Sequence, residues 1–296
     1  MVAVAIALVA SVALQAAVNL KARGIASGFG YLDRAAGFEI TPGPLPYSAS
    51  DTYARALLVG LVNTLRLSAL GIVCATALGL VLGIARLAPG RIVSGLAAAY
   101  VELVRNTPLL VQLLLWYSLS QALPPACEAF QPLPSVFLSE RGLFLPGFSG
   151  RPVLAGFDIR GGLSISPEFG ALVVCLTTYT AAFIGEIVRG GILAVGKGQT
   201  EAAAALGLSR GRALRLVVLP QALRVMVPPA TSQFVNLTKN SSLAVAIGYP
   251  DLISITTTTL NQTGQAIEAI AVATTLYLGI GLCISLAMNL GRGRRP

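Results

Sequence analysis

The feature that most limits the fold is a series of apolar runs, each about as long as a bilayer is thick, separated by short polar segments. A helix that crosses a membrane needs roughly twenty predominantly apolar residues. Runs of this kind lie at 1–20, 57–85, 93–120, 169–188, 213–238 and 266–290. Only 11% of the chain is charged while 55% is hydrophobic, and soluble domains carry about a quarter charged residues. The expected fold is therefore an all-α polytopic membrane helix bundle of about six spans. Residues 21–55, polar and rich in Gly and Pro, read as an external loop, and the residues from 291 to 296 as a basic tail.

The net charge of +9 does not point to nucleic acid. The basic residues sit in short connections between apolar runs, not along a groove-tracking patch with interleaved aromatics. One set of connections, around Arg86, Arg91, Arg189, Lys197, Arg210, Arg212 and Arg215, has almost no acids, while the opposite set is balanced by them. The positive-inside rule puts the first set and the C-terminus in the cytoplasm, and six spans put the N-terminus there too. The long Pro-rich connection at 121–166 then lies outside.

Several catalytic readings fail on composition. The chain has no histidine, which removes histidine metal sites and Ser-His or Cys-His dyads. Ser209 lies in a G-x-S-x-G pattern but has no ordinary base. Gly191 to Gly198 nearly spells a phosphate-binding loop, yet Gly198 stands where Ser or Thr would hold magnesium. No catalytic residue and no metal site is expected. The four cysteines offer no zinc or disulfide spacing.

Three polar segments interrupt the apolar runs. Gln199 to Pro220 has helical composition with clean punctuation: Thr200 is a candidate cap, Glu201 suits a helix start, Gly207 is a break and Ser209 a second cap. The run YVELVRNTPLLVQ carries Glu102, Arg105, Asn106, Thr107, Pro108 and Gln112; Glu102 and Arg105, three apart, can pair on one helix face. Such groups within a span either form a structural pair or face an aqueous path. After Pro228 and Pro229, which should kink or break their span, come Asn236, Lys239, Asn240, Ser241 and Ser242. These suit a zwitterion in a pathway, although Lys239 can equally snorkel to a surface. Glu186 and Arg189 form a candidate ion pair, structural or gating. Gly79 and Gly83 form a small-xxx-small pair able to seat a neighbouring helix.

The spacing of Glu201, Ala202, Ala203, Gly207, Val217, Leu219 and Pro220 resembles the EAA loop of ATP-binding-cassette importers, with Val217 where Ile is usual. The Glu102 to Gln112 stretch and the Lys239 to Leu243 stretch resemble signatures of the polar-amino-acid branch. GIASGFGYLDRAAGF is similar to the general L-amino-acid and glutamate/glutamine/aspartate/asparagine permease subgroup. The resemblance implies a five-helix permease core at 56–290 with one extra N-terminal span. It also implies an external insertion at 121–166 and a coupling loop at 190–220 whose helix docks on a separate ATPase. By the same resemblance the chain holds no cofactor of its own, ATP and Mg being bound by an ATPase dimer. Its expected partners are a homologous second permease, forming a heterodimer, a periplasmic amino-acid-binding protein, the L-amino acid and membrane lipid, but no nucleic acid. The rival is a stand-alone secondary transporter or channel, which needs coupling carboxylates; the spans offer chiefly Glu102.

Overall fold

A computed structural model describes residues 27–40, 43–147 and 150–293, with Ser11, Gln15, Asn19 and Ala22 ahead of them. Apart from those isolated positions, the expected span at 1–20 lies outside the described residues, as does the end of the basic tail, 294–296. Helices dominate: α1 (Tyr53–Arg86), α2 (Arg91–Asn106), α3 (Leu109–Gln121), α4 (Pro167–Leu193), α5 (Lys197–Ala205), α6 (Arg210–Ala213), α7 (Leu219–Asn240), α8 (Leu252–Thr263) and α9 (Ala266–Gly293). Four helical runs are long and apolar enough to cross a membrane: Tyr53–Arg86, Pro167–Leu193, Arg210–Ile247 and Ala266–Leu290.

The chain forms two compact units. The first combines Met1–Thr64 with Pro250–Ile280. A short 3-10 turn, Phe29–Asp33, buries Tyr31 completely, with its ring edge-on to Tyr53 at 5.9 Å. Leu57, Val59, Leu252 and Ile255 complete this core. Within the segment expected as an external loop, the described residues 27–40 and 43–55 are thus packed together through their aromatics. Asp251 starts α8, accepting from the Ser254 N–H at 2.8 Å. The Asn63 amide donates to the Pro250 carbonyl at 2.9 Å, the Leu252 N–H to Thr64 Oγ1 at 3.1 Å, and the Tyr277 hydroxyl to Asp251 Oδ2 at 3.3 Å. Asp251 is fully buried, and desolvation pushes its carboxyl up to about 6 despite these donors.

The second unit combines Leu65–Tyr249 with Gly281–Pro296. Its axis is α4, which packs against α2, α3 and α7. Gly79 and Gly83 of α1 let α4 approach to backbone distance: a Cβ at Gly83 would lie 2.6 Å from Val188 Cβ and 2.8 Å from the Gly185 carbonyl oxygen. The small-residue pair therefore has a definite neighbour. Leu282, Leu286 and Leu290, one turn apart along α9, are all exposed, as suits a face toward lipid.

Two expectations are corrected. The run at 93–120 is not one helix but α2 and α3, separated at Thr107 and Pro108, because proline lacks the N–H that would continue the ladder. The span with Pro228 and Pro229 stays helical through both; the irregularity lies upstream, where Leu214–Val218 is π-helical. There the Leu219 N–H reaches back five residues to the Leu214 carbonyl, just before Pro220 interrupts the donor series. The long connection between α3 and α4 also folds. Strands β1 (Phe130–Leu133), β2 (Val136–Ser139), β3 (Gly142–Leu145) and β6 (Leu163–Ile165) form an antiparallel sheet in the order β1-β2-β3-β6. Strands β4 (Val153–Ala155) and β5 (Asp158–Arg160) form a hairpin. An Arg141–Asp158 ion pair at 3.0 Å ties that hairpin to the β2–β3 turn.

Gly83→Val should destabilise the chain by about 1–3 kcal/mol through overpacking, read as a lower Tm in detergent. Gly95→Ala, which meets open space on α2, should not lower it. For Asp251, a folded-state pKa above the unfolded value means that stability is full at low pH and is lost as pH rises through about 6. Asp251→Asn keeps the cap without the charge, so its Tm relative to wild type should rise between about pH 4 and pH 7. The gain corresponds to at most about 3 kcal/mol.

Candidate functional site

The segment joining α4 to α7 is built from short, well-terminated pieces. Helix α5 starts after Gly196, earlier than Thr200; the Thr200 hydroxyl lies inside it and donates to the Lys197 carbonyl at 2.6 Å. Thr200 is therefore not the cap, and Glu201 is exposed in mid-helix, beyond the first turn. Ala203 is buried while Ala202 is exposed. The helix ends in a Schellman closure: the Gly207 N–H bonds the Ala204 carbonyl at 2.9 Å and the Leu208 N–H bonds the Ala203 carbonyl at 3.0 Å. Gly207 has φ +77°, the left-handed region where other residues are strained. That closure leaves Leu206 at the apex, 83% exposed. Ser209 occupies the N-cap position of α6 but makes no side-chain cap bond.

This knob is fastened to the next span. The Gln221 amide donates to the Val217 carbonyl at 3.0 Å and to Gln199 Oε1 at 3.3 Å, so it links α5 to the stretch around Pro220. Gln221 is a residue that sequence reasoning passed over, as nothing in its spacing marks it.

The α2–α3 break is stitched in a similar way. Buried Gln112 donates from Nε2 to the Val104 carbonyl at 2.9 Å and to the Thr107 carbonyl at 3.0 Å. Val104 lies four residues before Pro108, so it is the carbonyl that the missing proline N–H leaves without a donor. The Gln112 amide is thus committed to the backbone. Thr107 Oγ1 donates to the Leu103 carbonyl at 2.8 Å, and Asn106 and Pro108 are exposed. The expected Glu102–Arg105 pair does not form: the Arg105 guanidinium lies over the Phe183 ring of α4, 5.0 Å from its centroid, and Glu102 is exposed.

Glu186 and Arg189 do come together, with Arg189 Nη2 3.2 Å from Glu186 Oε2, and Arg86 joins them through an ion pair with Glu186 Oε1. Arg86 was read only as a topology signal, yet it closes a triad between the ends of α1 and α4. Arg66, inside the apolar run of α1, stacks over Phe169 at 4.6 Å. An ionisable residue within a span is a signal that the sequence alone carries. On α7, Ser232, Asn236 and Lys239 form an exposed polar stripe at helical spacing; Asn240 and Ser242 are half-buried, and Ser241 is buried, donating to the Thr238 carbonyl at 2.7 Å.

Comparison with known proteins places these features in context. Residues 75–292 match the family described as binding-protein-dependent transport system inner membrane component. A putative amino-acid ABC transporter permease protein, YhdX, of Escherichia coli strain K12 is 42% identical, the match covering 92% of this chain and 86% of the relative. The general L-amino acid transport system permease protein AapQ of Rhizobium johnstonii is 40% identical over 94% of this chain and 86% of its own. A solved structure of an amino acid ABC transporter with histidines aligns with a TM-score of 0.62 and 28% identity, covering 82% of this chain and 95% of that one.

The triad yields a ranking. Glu186→Gln leaves two arginines facing each other and should cost roughly 1–3 kcal/mol, less than a fully buried pair because the side chain is partly exposed. Arg189→Gln should cost less, since Arg86 still neutralises Glu186. Thermal unfolding of the purified variants checks the order; equal Tm values for all three chains would contradict it.

Proposed function

This chain belongs to the family of binding-protein-dependent transport system inner membrane components, and on that premise we propose that it is one permease subunit of an ATP-driven importer of L-amino acids. The observation that carries the mechanism is the knob formed by α5, Leu206 and the Gly207 closure. It is closed by a Schellman turn, polar on its flanks, topped by one large exposed apolar side chain, and fastened through Gln199 and Gln221 to the following span. A separate ATPase dimer, which binds ATP and Mg, receives this knob in a groove. Closure of the ATPases displaces α5, and the displacement reaches the spans through Pro220 and the π-helical stretch. Glu201 and Ala202, both exposed, supply the contact face, Ala203 packs beneath them, and Gly207 gives the turn that sets the angle.

The sidedness follows from charge: the α5 side and the C-terminus face the cytoplasm, and the β-sheet between α3 and α4 faces the periplasm, where an amino-acid-binding protein delivers substrate. The exposed stripe of Ser232, Asn236 and Lys239 is costly against lipid, so it faces a water-lined path shared with a homologous second permease. Asn240 and Ser242 extend this path, with Asn106, Thr107 and Pro108 at the α2–α3 break. Glu102 and Arg105 flank that break. Glu186, Arg189 and Arg86 brace the α5 end of the bundle and change partners as it opens. ATP and substrate each move the equilibrium by binding its two states unequally. Amino acids are the class named for AapQ, a general L-amino acid transport system permease, and the zwitterion chemistry of Lys239 with neighbouring amides and hydroxyls accords with it.

Leu206→Asp and Gly207→Asp test the coupling in vesicles containing the complex and its binding protein. Each should lower ATP-dependent uptake at least about tenfold, equivalent to about 1.4 kcal/mol of lost docking, while the chain still inserts. Undiminished uptake in the correctly inserted double variant would overturn the coupling role. Uptake by this chain alone, without any ATPase, would favour a self-sufficient transporter.

A further inference from the structure

An apolar cleft of about 530 Å³ lies where one span ends and the next begins. Ile192 and Leu193 at the close of α4, Ala204 on α5, and Leu208, Leu214 and Val218 on the way to α7 form its walls. The wall opens outward, since Leu193 is 59% and Leu214 48% exposed. The last turn of Pro167–Leu193 and the first turns of Arg210–Ile247 build it, and on the span assignment these turns belong at the boundary between hydrocarbon and water. Two cations also line it, Lys197 at the first residue of α5 and Arg210 at the first residue of α6, and both are exposed. Neither has a carboxylate partner among the described ion pairs, and Glu201, the only acid of α5, does not line the cleft.

We propose that this cleft binds one anionic phospholipid, an acyl chain lying along Leu193, Leu208 and Leu214 and the phosphate held between Lys197 and Arg210. The charge arrangement selects this occupant. An apolar protein segment would fill the slot but leave both cations unmatched, and a free anion would satisfy the cations but leave the slot empty. A lipid matches both, and basic residues at a membrane surface draw anionic headgroups from the leaflet beside them. A small-molecule site of this size is mostly apolar with a few polar groups fixing orientation, as here. The lipid would wedge α5 against the spans, making the angle of the knob responsive to membrane composition. Only the choice of leaflet rests on the importer reading; lipid retention is measured without transport or ATP hydrolysis.

The full chain is purified in detergent, alone and with its partner subunits, exchanged through mixed micelles of phosphatidylglycerol and phosphatidylcholine, and weighed intact by native mass spectrometry. Wild type should keep phosphatidylglycerol over phosphatidylcholine by about tenfold or more. Lys197→Gln with Arg210→Gln should abolish that preference, Lys197→Arg with Arg210→Lys should preserve it, and Ala204→Phe, which fills the slot, should displace the lipid with both charges present. Gel filtration identifies any variant that is misassembled, and the charge-conserving pair keeps the comparison informative if the glutamine pair fails to fold. Retention that is equal in wild type and the glutamine pair overturns the proposal. So does competition by inorganic phosphate at the same concentration, which marks a simple ion site, or loss of the lipid whenever an ATPase subunit is bound, which assigns the cleft to a protein contact.

Discussion

In a membrane, a backbone carbonyl without a donor has no water to turn to, and leaving it bare costs several kcal/mol. This chain meets that constraint at Pro108 and shifts register at Pro220. At Pro108 a glutamine one turn further on returns a donor to the Val104 carbonyl. At Pro220 the ladder shifts to a π-helical register, with the Leu219 N–H on the Leu214 carbonyl, and the Gln221 side chain adds a donor to the nearby Val217 carbonyl. At Pro108 the repair is made by a side chain, so that joint need not be continuous helix to be satisfied. The bundle can therefore contain breaks, and the breaks adjoin the segments assigned to coupling and to the substrate path.

Much of this was legible from residue patterns because the physics behind it is local. Apolar run length marks a span, and Gly207 marked the end of α5 because a left-handed residue closes a Schellman turn. The glycine pair of α1 announced a close approach, though only coordinates identify Ile184 and Val188 as the residues received. The features that escaped were long-range or individually weak. Run length could not divide 93–120, since apolar residues resume on both sides of the short Arg105–Pro108 gap and one proline decides the matter. The strands between α3 and α4 are only three or four residues long, too short for alternation to stand out in a Pro-rich segment. The Glu102–Arg105 pairing looked sound by spacing, but a ring from α4, Phe183, offered the guanidinium a different partner.

The ion triad illustrates the same limit from the opposite direction. Glu186 and Arg189 are visible as an i, i+3 pair, whereas Arg86 reaches them from a helix far away in sequence. Two arginines on one carboxylate leave a net positive charge at that end of the bundle. It adds to the exposed Lys197, Arg210 and Arg212, so the field on the α5 side is stronger than local pairing alone implies. A polyanionic surface, whether headgroups or an acidic protein groove, is attracted from a distance before any contact forms.

The seam between α1 and α4 limits where movement can occur. Branched side chains seated against bare backbone leave neither helix room to roll or slide along the other without collision. Along that seam the two helices act as one girder, and movement is easier at the Pro108 joint than across it.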